Sequence, residues 1–210
     1  MHIGAPAEPV VKKGDTVMVG TIIGKAGGFV SANIYSSVSG TVQDVAPLRM
    51  VNGAMAMAVA IKTDGAQTVD PACVPPVITD KASLLAAVQA CGLVGVGGAG
   101  FPTHVKLAAN TIDTLLINAA ECEPYLTTDC REMLECSDTI ISGITAVMKY
   151  CEILHCIIGI ERNKPECIDL LTSLKTVHTW DTIVMVIAMN FFFTGGFLLM
   201  NTGRRAVSST

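Results

Sequence analysis

Residues 95–106 carry the sequence Gly-Val-Gly-Gly-Ala-Gly-Phe-Pro-Thr-His-Val-Lys, which contains the spacing G-x-G-x-x-G at positions 95, 97 and 100. Glycine has no Cβ and leaves the backbone N–H groups bare, so a phosphate or a flat ring can approach such a loop closely. In the ordinary dinucleotide-binding turn this spacing joins a strand directly to a helix. Here a predicted helix precedes the loop, and Phe101-Pro102 interrupts any helix starting at Gly100. We therefore expect a ligand-binding loop that differs from the ordinary Rossmann turn.

A second group of polar residues follows the predicted strand 114–117. It comprises Asn118, Glu121 and Glu123. Ligands collect at the carboxyl ends of strands in open parallel sheets, which makes this a favourable position. An asparagine can hydrogen-bond a flavin edge or a ribityl hydroxyl, and carboxylates accept from ribose or amide groups. On these residues alone, a turn capped by Asn118 with solvated glutamates is an equal alternative.

The order of elements in this half of the chain predicts an α/β fold. A helix around 83–88 is closed by Cys91-Gly92, and the strand 114–117 is followed by helical spacing over 129–151. A β-rich run over 153–160 then leads to a second helix start at 163–166. Strands alternating with helices imply parallel βαβ units, so we expect a Rossmann-like parallel sheet.

The first 63 residues predict a small all-β module instead. They are rich in Gly and Val, lack a sustained helical period, and read as short strands separated by turns. The patterns V-x-x-G-D-x-V-x-x-G at 11–20 and S-x-x-S-G-x-V at 36–42 resemble the barrel-sandwich hybrid of lipoyl and biotinyl carrier domains. The position at which a carrier domain presents its modified lysine falls near Phe29, and only a shift of register would bring Lys25 there, so the resemblance implies the fold and not carrier function. The polar, proline-bearing stretch 64–80 is typical of a linker.

Composition excludes several other functions. The formal net charge is −4 and basic residues are scattered, which argues against a nucleic-acid surface. The chain has eight cysteines but no CxxC spacing, so neither an iron–sulfur cluster nor another metal site is expected. Free thiols in a reducing compartment are the simplest interpretation.

Two longer strings resemble a known family. GVGGAGFPTHVKL at 95–107 and NAAECEPYLTTD at 118–129 are similar to paired signatures of the flavin- and NADH-binding subunit of respiratory complex I, and more closely of the C subunit of Rnf-type complexes. HIGAPAEPVVKKGDTV and FVSANIYSSVSGTV resemble the β-rich N-terminal module of the Rnf subunit. The resemblance implies that the glycine loop, Lys106, Asn118 and Glu121 contact FMN, and that Phe101 and Glu123 border the NAD(H) site. The implied cofactor-binding residues are Gly95, Gly97, Gly98, Gly100, Phe101, Lys106, Asn118, Glu121 and Glu123.

The resemblance also implies a function. It predicts a subunit of a membrane-associated ferredoxin:NAD oxidoreductase coupled to ion transport, which passes electrons between NAD(H) and FMN. Such a subunit would be peripheral on the cytoplasmic face of the membrane, bound to other subunits and linked indirectly to ferredoxin. A non-catalytic assembly fragment is one alternative, and a flavin-dependent electron donor to a cobalamin or proline reductase is another.

The C-terminal part of the sequence departs from the family pattern. We expect an incomplete FMN/NAD-binding domain over 81–175, with the resemblance ending after about Leu174. A preceding N-terminal segment and a later pair of CxxCxxCxxxCP cluster motifs are missing, which predicts truncation at both ends and no 4Fe–4S cluster. The tail 176–210 includes a long apolar run, 183–200. A membrane anchor, a buried folded segment and a frameshifted reading frame all remain possible for this run.

Overall fold

The computed structural model describes residues 2–50, 53–95, 100–109, 112–121, 125–175, 181–187 and 197–200. The chain divides into two compact units. Unit 1 comprises residues 1–78, 85–94 and 99–105, and unit 2 comprises residues 79–84, 95–98 and 106–210.

Unit 1 is built around an all-β module of two three-stranded antiparallel sheets. Val17, Ala32 and Val42 are buried in it, because small and β-branched side chains pack well in a thin sandwich. The all-β prediction for the N-terminal module is confirmed. The strands are β1 (Glu8–Pro9), β2 (Thr16–Val17), β3 (Ile22–Lys25), β4 (Ile34–Tyr35), β5 (Gly40–Arg49) and β6 (Met55–Thr63).

The first part of the predicted linker 64–80 is hydrogen-bonded to this module. The N–H of Val19 donates to the carbonyl of Thr68 at 2.8 Å, and the N–H of Asp70 donates back to Val19 at 2.9 Å. The Thr21 hydroxyl also donates to the Asp70 carboxylate at 2.6 Å. That bond, followed by one from the N–H of Ala72, lowers the pKa of Asp70. The stretch up to residue 70 therefore behaves as part of the module.

Two helices flank the glycine-rich loop in sequence, α1 (Lys81–Ala90) and α2 (Thr103–Leu107). The α1 helix stops where the sequence predicts. Gly92 has φ of +67°, and its N–H donates to the carbonyl of Gln89 at 3.0 Å. Glycine adopts this left-handed conformation without the penalty that a Cβ would bring, which is why it ends the helix.

Unit 2 contains a four-stranded sheet of order β10-β7-β8-β9. Strands β7, β8 and β9 run parallel, as predicted, while β10 pairs antiparallel with β7 and makes the sheet mixed. Leu115, Ile158 and Ile160 are almost fully buried in its core. The elements are β7 (Thr114–Ala119), α3 (Thr128–Glu135), α4 (Ser137–Cys151), β8 (His155–Glu161), α5 (Pro165–Lys175), β9 (Asp181–Ile187) and β10 (Phe197–Met200).

The single helix expected over 129–151 is two helices. Cys136 has non-helical angles, φ −124° and ψ 24°, and separates α3 from α4. Ser137 and Asp138 follow it, and such residues favour helix starts over helix interiors because their side chains compete for backbone hydrogen bonds. The break therefore coincides with a second helix-start signal inside the apolar period.

The apolar run 183–200 forms strands in its described parts. Residues 181–187 lie parallel to β8, with Ile183 opposite Ile157, and residues 197–200 pair with β7. This arrangement favours the folded-segment alternative. Among the residues that the structure describes, none of the helices is both long and apolar enough to cross a membrane.

Candidate functional site

The glycine-rich loop is closed at its neck by backbone pairing within unit 1. Val94 and Pro102 form an antiparallel bridge, and the N–H of Thr103 donates to the carbonyl of Leu93 at 2.9 Å. Gly100, just before the neck, is buried and has φ of +66°, a conformation that suits glycine. The chain therefore enters and leaves the loop side by side, at the paired residues 93–94 and 102–103. It does not run from a strand directly into a helix, which agrees with setting the ordinary Rossmann turn aside.

Not every predicted loop residue is described. Gly97 and Gly98 lie outside the described residues, whereas Gly95 and Lys106 are half-buried and belong to unit 2. Phe101 is half-buried and belongs to unit 1.

His104, at the start of α2, contacts the module of unit 1. Its side chain is only 3% exposed, and Nε2 lies 2.9 Å from the backbone carbonyl of Phe29. A carbonyl only accepts, so Nε2 carries the proton and donates. The Phe29 ring meets the imidazole edge to face at 5.6 Å between centroids. Phe29 thus anchors the chain that leaves the glycine loop, through its carbonyl and its ring.

The described members of the second predicted group, Asn118 and Glu121, lie at the carboxyl end of β7 in unit 2. The amide oxygen of Asn118 accepts from the N–H of Ala120 at 3.1 Å, within a half-buried turn. This is the turn-capping geometry that the sequence left as an alternative. Glu123 lies outside the described residues.

Glu121 is held within the protein. Its side chain is 5% exposed, and Oε2 accepts from Lys164 Nζ at 3.0 Å. Its other oxygen accepts from the N–H of Asp129 at 3.0 Å. Burial alone would raise the pKa of Glu121, but the bonds from Lys164 and Asp129 lower it overall. The bond to Glu121 raises the pKa of Lys164.

The same carboxylate caps α3. The sequence predicts a capping box from Asp129 to Glu132, but the helix begins at Thr128 and its N-cap residue, Thr127, makes no side-chain cap bond. Glu121 instead accepts from the first-turn N–H of Asp129, eight residues along the chain. A carboxylate at a helix N-terminus satisfies orphan N–H groups and matches the helix dipole. Burial, then the nearby Glu121, raises the pKa of Asp129, which lies inside the first turn and not at the N-cap position.

Glu161 and Lys164 were missed by the sequence prediction. Glu161 ends β8 with 3% exposure, and its Oε2 has no hydrogen-bond partner among the described residues. Glu161 directly follows the predicted run 153–160, so the rule that selected Asn118, a polar residue after a parallel strand, applies equally to it. Within the described part of the chain, no group of three or more His, Cys, Asp or Glu residues could hold a metal ion.

The matches to protein families agree with this two-part architecture. Residues 1–66 match the RnfC barrel sandwich hybrid domain, and residues 88–198 match the Nuo51 FMN-binding domain. The two matches thus define a protein with a barrel-sandwich module ahead of a Nuo51-type FMN-binding domain. The second match continues to residue 198, beyond the expected end of the resemblance near Leu174.

Several curated proteins similar to this chain are named as C subunits of ion-translocating oxidoreductase complexes. The chain is 41% identical over 180 residues to the C subunit of the proton-translocating ferredoxin:NAD(+) oxidoreductase complex of Clostridium ljungdahlii, covering 81% of this chain and 38% of that protein. It is 41% identical over 180 residues to the C subunit of the Na(+)-translocating complex of Acetobacterium woodii, covering 82% and 40%. The C subunit of the ion-translocating oxidoreductase complex of Rhodobacter capsulatus is 41% identical over 181 residues, covering 81% and 34%.

The chain belongs to the Nuo51 FMN-binding family and is a homologue of Rnf-type C subunits. It spans about two fifths of the length of the first two relatives. The resemblance predicted from the two signature strings is confirmed.

Proposed function

We propose that this chain carries the FMN- and NAD(H)-binding module of an Rnf-type C subunit and passes electrons between NAD(H) and FMN. The observation that carries the proposal is the set of polar side chains at the carboxyl ends of the neighbouring parallel strands β7 and β8. They are Asn118, Glu121, Glu161 and Lys164, and all lie within the match to the FMN-binding domain. Such strand ends are the usual ligand position in open α/β sheets, here in a Rossmann-like arrangement.

The residues present suit a flavin nucleotide. Glu161 Oε2 is a buried acceptor without a donor among the described residues, and leaving such an atom unsatisfied costs about 1–3 kcal/mol. FMN offers ribityl hydroxyls and a ring N–H, either of which would donate to it. Lys164 already neutralises Glu121, which reduces the negative charge that this edge presents to an anionic ligand.

Each remaining predicted residue has a proposed part in binding. The glycines at 95, 97, 98 and 100 would let the ring and phosphate approach the backbone, and Lys106 would act as a point charge on phosphate. Asn118 would bond the flavin edge or a ribityl hydroxyl, while Phe101 and Glu123 would border the nicotinamide. When bound, FMN supplies the exchange between hydride and single-electron transfer, and the protein supplies position and electrostatics.

We extend the proposal to the assembly. The relatives are named as C subunits of ion-translocating complexes, so we infer that this chain contacts other subunits of such a complex and reaches ferredoxin only through them. Its proposed position is peripheral, on the cytoplasmic face of the membrane. Co-purification of the tagged chain with the other subunits tests this part, and recovery of the chain alone from a membrane that contains the complex would count against it.

FMN uptake by the purified chain tests the binding proposal. Titration with FMN, followed by flavin fluorescence, should show saturable binding, and anaerobic NADH should bleach the bound flavin. Asn118→Ala removes about one hydrogen bond, worth about 0.5–1.5 kcal/mol, and should weaken FMN binding by roughly tenfold at most. Gln43→Ala, which truncates an exposed amide on β5, is the matched control and should leave the Kd unchanged. Absence of uptake by a folded chain contradicts the proposal and favours a non-catalytic assembly role.

A further inference from the structure

Two cysteines from different helices lie side by side in unit 2. Cys130 is in the first turn of α3 and Cys167 in the first turn of α5, and their sulfurs are 3.6 Å apart. Cys167 Sγ also lies 3.7 Å from the backbone carbonyl of Cys130, to which its thiol donates. Both are free thiols in the structure. A disulfide places its sulfurs about 2.05 Å apart, so closure needs an approach of roughly 1.5 Å.

We propose that Cys130 and Cys167 are a redox-modification site that closes to a reversible disulfide between α3 and α5. The oxidant class is a peroxide, ROOH. The Cys130 sulfur attacks the terminal peroxide oxygen, the O–O bond breaks, ROH leaves and Cys130 becomes a sulfenic acid. The Cys167 sulfur then attacks that sulfur, the S–O bond breaks and water leaves. Two thiols and ROOH thus give one disulfide, ROH and water, with the peroxide reduced by two electrons.

The surroundings of the two thiols indicate that Cys130 reacts first with the peroxide and Cys167 second. Cys167 is 1% exposed, and burial, followed by its contact with Cys130, raises its pKa to about 11. A buried, protonated thiol is a poor first target for a peroxide. Cys130 is partly exposed, so a peroxide can reach it from solvent. Cys167 then acts as the resolving thiol, and the nearby Lys164 favours loss of its proton.

The disulfide would join the two elements that hold Glu121. Asp129, whose N–H donates to Glu121, directly precedes Cys130. Lys164, which donates to the other oxygen of Glu121, lies three residues before Cys167, about one helical turn. Closure therefore pulls on both anchors at the sheet edge. This consequence rests on the proposed function, as does one peroxide source, the reaction of reduced flavin with O2. Formation of the disulfide itself depends neither on the proposed function nor on that peroxide source.

Peroxide treatment of the purified chain tests the proposal. After incubation with hydrogen peroxide and blocking of the remaining thiols, peptide mapping should find residues 130 and 167 in one linked pair, and a dithiol reductant should release it. Cys130→Ser and Cys167→Ala should each abolish the linked pair, whereas Cys73→Ser, at an exposed cysteine of unit 1, should leave it intact. Oxidation confined to other cysteines, or Cys130 linked instead to Cys136, would overturn the proposal. The peptide map of the wild-type chain does not depend on the folding of any variant, so it is sufficient by itself to test whether the disulfide forms.

FMN binding separates this inference from the proposed function. If both hold, the oxidised wild-type chain shows a changed FMN Kd that reduction restores, while the oxidised Cys130→Ser chain keeps the untreated value. A linked pair in a chain that takes up no FMN supports the redox site and counts against the proposed function. FMN binding by a chain in which peroxide forms no linked pair supports the proposed function and counts against the redox site.

Discussion

Glu121 and Lys164 form a buried ion pair with 3.0 Å between Oε2 and Nζ, and they come from the segments that follow two neighbouring parallel strands. Their side chains are 5% and 14% exposed. The pair joins the chain after β7 to the start of α5, and through Asp129 it also fixes the start of α3. One carboxylate thus organises three elements at the sheet edge where the cofactor is proposed to bind.

Removing the cation from this pair should destabilise the protein strongly. Lys164→Met leaves Glu121 charged and mostly buried, and breaking a buried pair costs about 3 kcal/mol or more of unfolding free energy. Arg131→Met is the matched control, since Arg131 pairs with Glu135 on α3 and their side chains are 63% and 58% exposed. That loss should be about 0.5 kcal/mol. Urea unfolding of both variants measures the difference, and equal losses would contradict a structural role for the buried pair.

Stability should fall at both ends of the pH scale because of the same pair. The folded pKa of Glu121 is below its ordinary value of 4.5, so its contribution is complete above that value and is lost as pH falls through the folded pKa. The folded pKa of Lys164 is above its ordinary 10.5, so its contribution is complete below 10.5 and is lost as pH rises through the folded pKa.

The pH profile of unfolding free energy checks this behaviour. In a Glu121→Gln, Lys164→Met double variant, the unfolding free energy should fall less steeply at both acid and alkaline pH, because the pair no longer contributes. An Arg131→Met chain should keep the wild-type pH dependence. If the double variant retains the wild-type profile, other groups control the acid and alkaline limbs.

Two glycines, Gly92 just past the end of α1 and Gly143 inside α4, should respond oppositely to alanine. Gly92→Ala forces a Cβ into the left-handed region at φ +67° and against the carbonyl of Asn33, so it should destabilise by about 1–3 kcal/mol. Gly143 lies inside α4 and is exposed, and a Cβ added there would meet nothing within 4 Å. Gly143→Ala should therefore stabilise by about 0.5–1 kcal/mol. Thermal unfolding of the two variants measures both signs, and a stabilising Gly92→Ala would refute the turn geometry.

The His104–Phe29 contact should matter more through the imidazole than through the phenyl ring. His104→Ala removes a buried ring and leaves the Phe29 carbonyl without its donor, which should cost about 3 kcal/mol. Phe29→Ala keeps that carbonyl and loses only an edge contact of a ring that is 63% exposed, about 1 kcal/mol. Urea unfolding gives both values. A larger loss for Phe29→Ala would mean that the ring, and not the hydrogen bond, anchors the loop.

Much of the fold was predictable because its signals are local. Gly92 ends α1 through its own backbone freedom, and Pro165 opens α5 because the missing N–H has no partner in a first turn anyway. Alternation of strands and helices predicted the parallel pairing of β7 with β8. The break at Cys136 was missed because the apolar period of 129–151 continues across it, and only the signal at Ser137-Asp138 marks it.

The candidate site likewise has features that local sequence signals predict and features that depend on contacts between distant residues. The sequence by itself determined the two-module order, the glycine loop and the polar residues after β7, because each depends on neighbours along the chain or on rare local strings. Only the tertiary structure decided that Glu121 pairs with Lys164, 43 residues away, and that Cys130 meets Cys167. The partner of a buried charge or thiol depends on which strand ends meet in space. That choice is made by sheet register and helix packing, which no local pattern encodes.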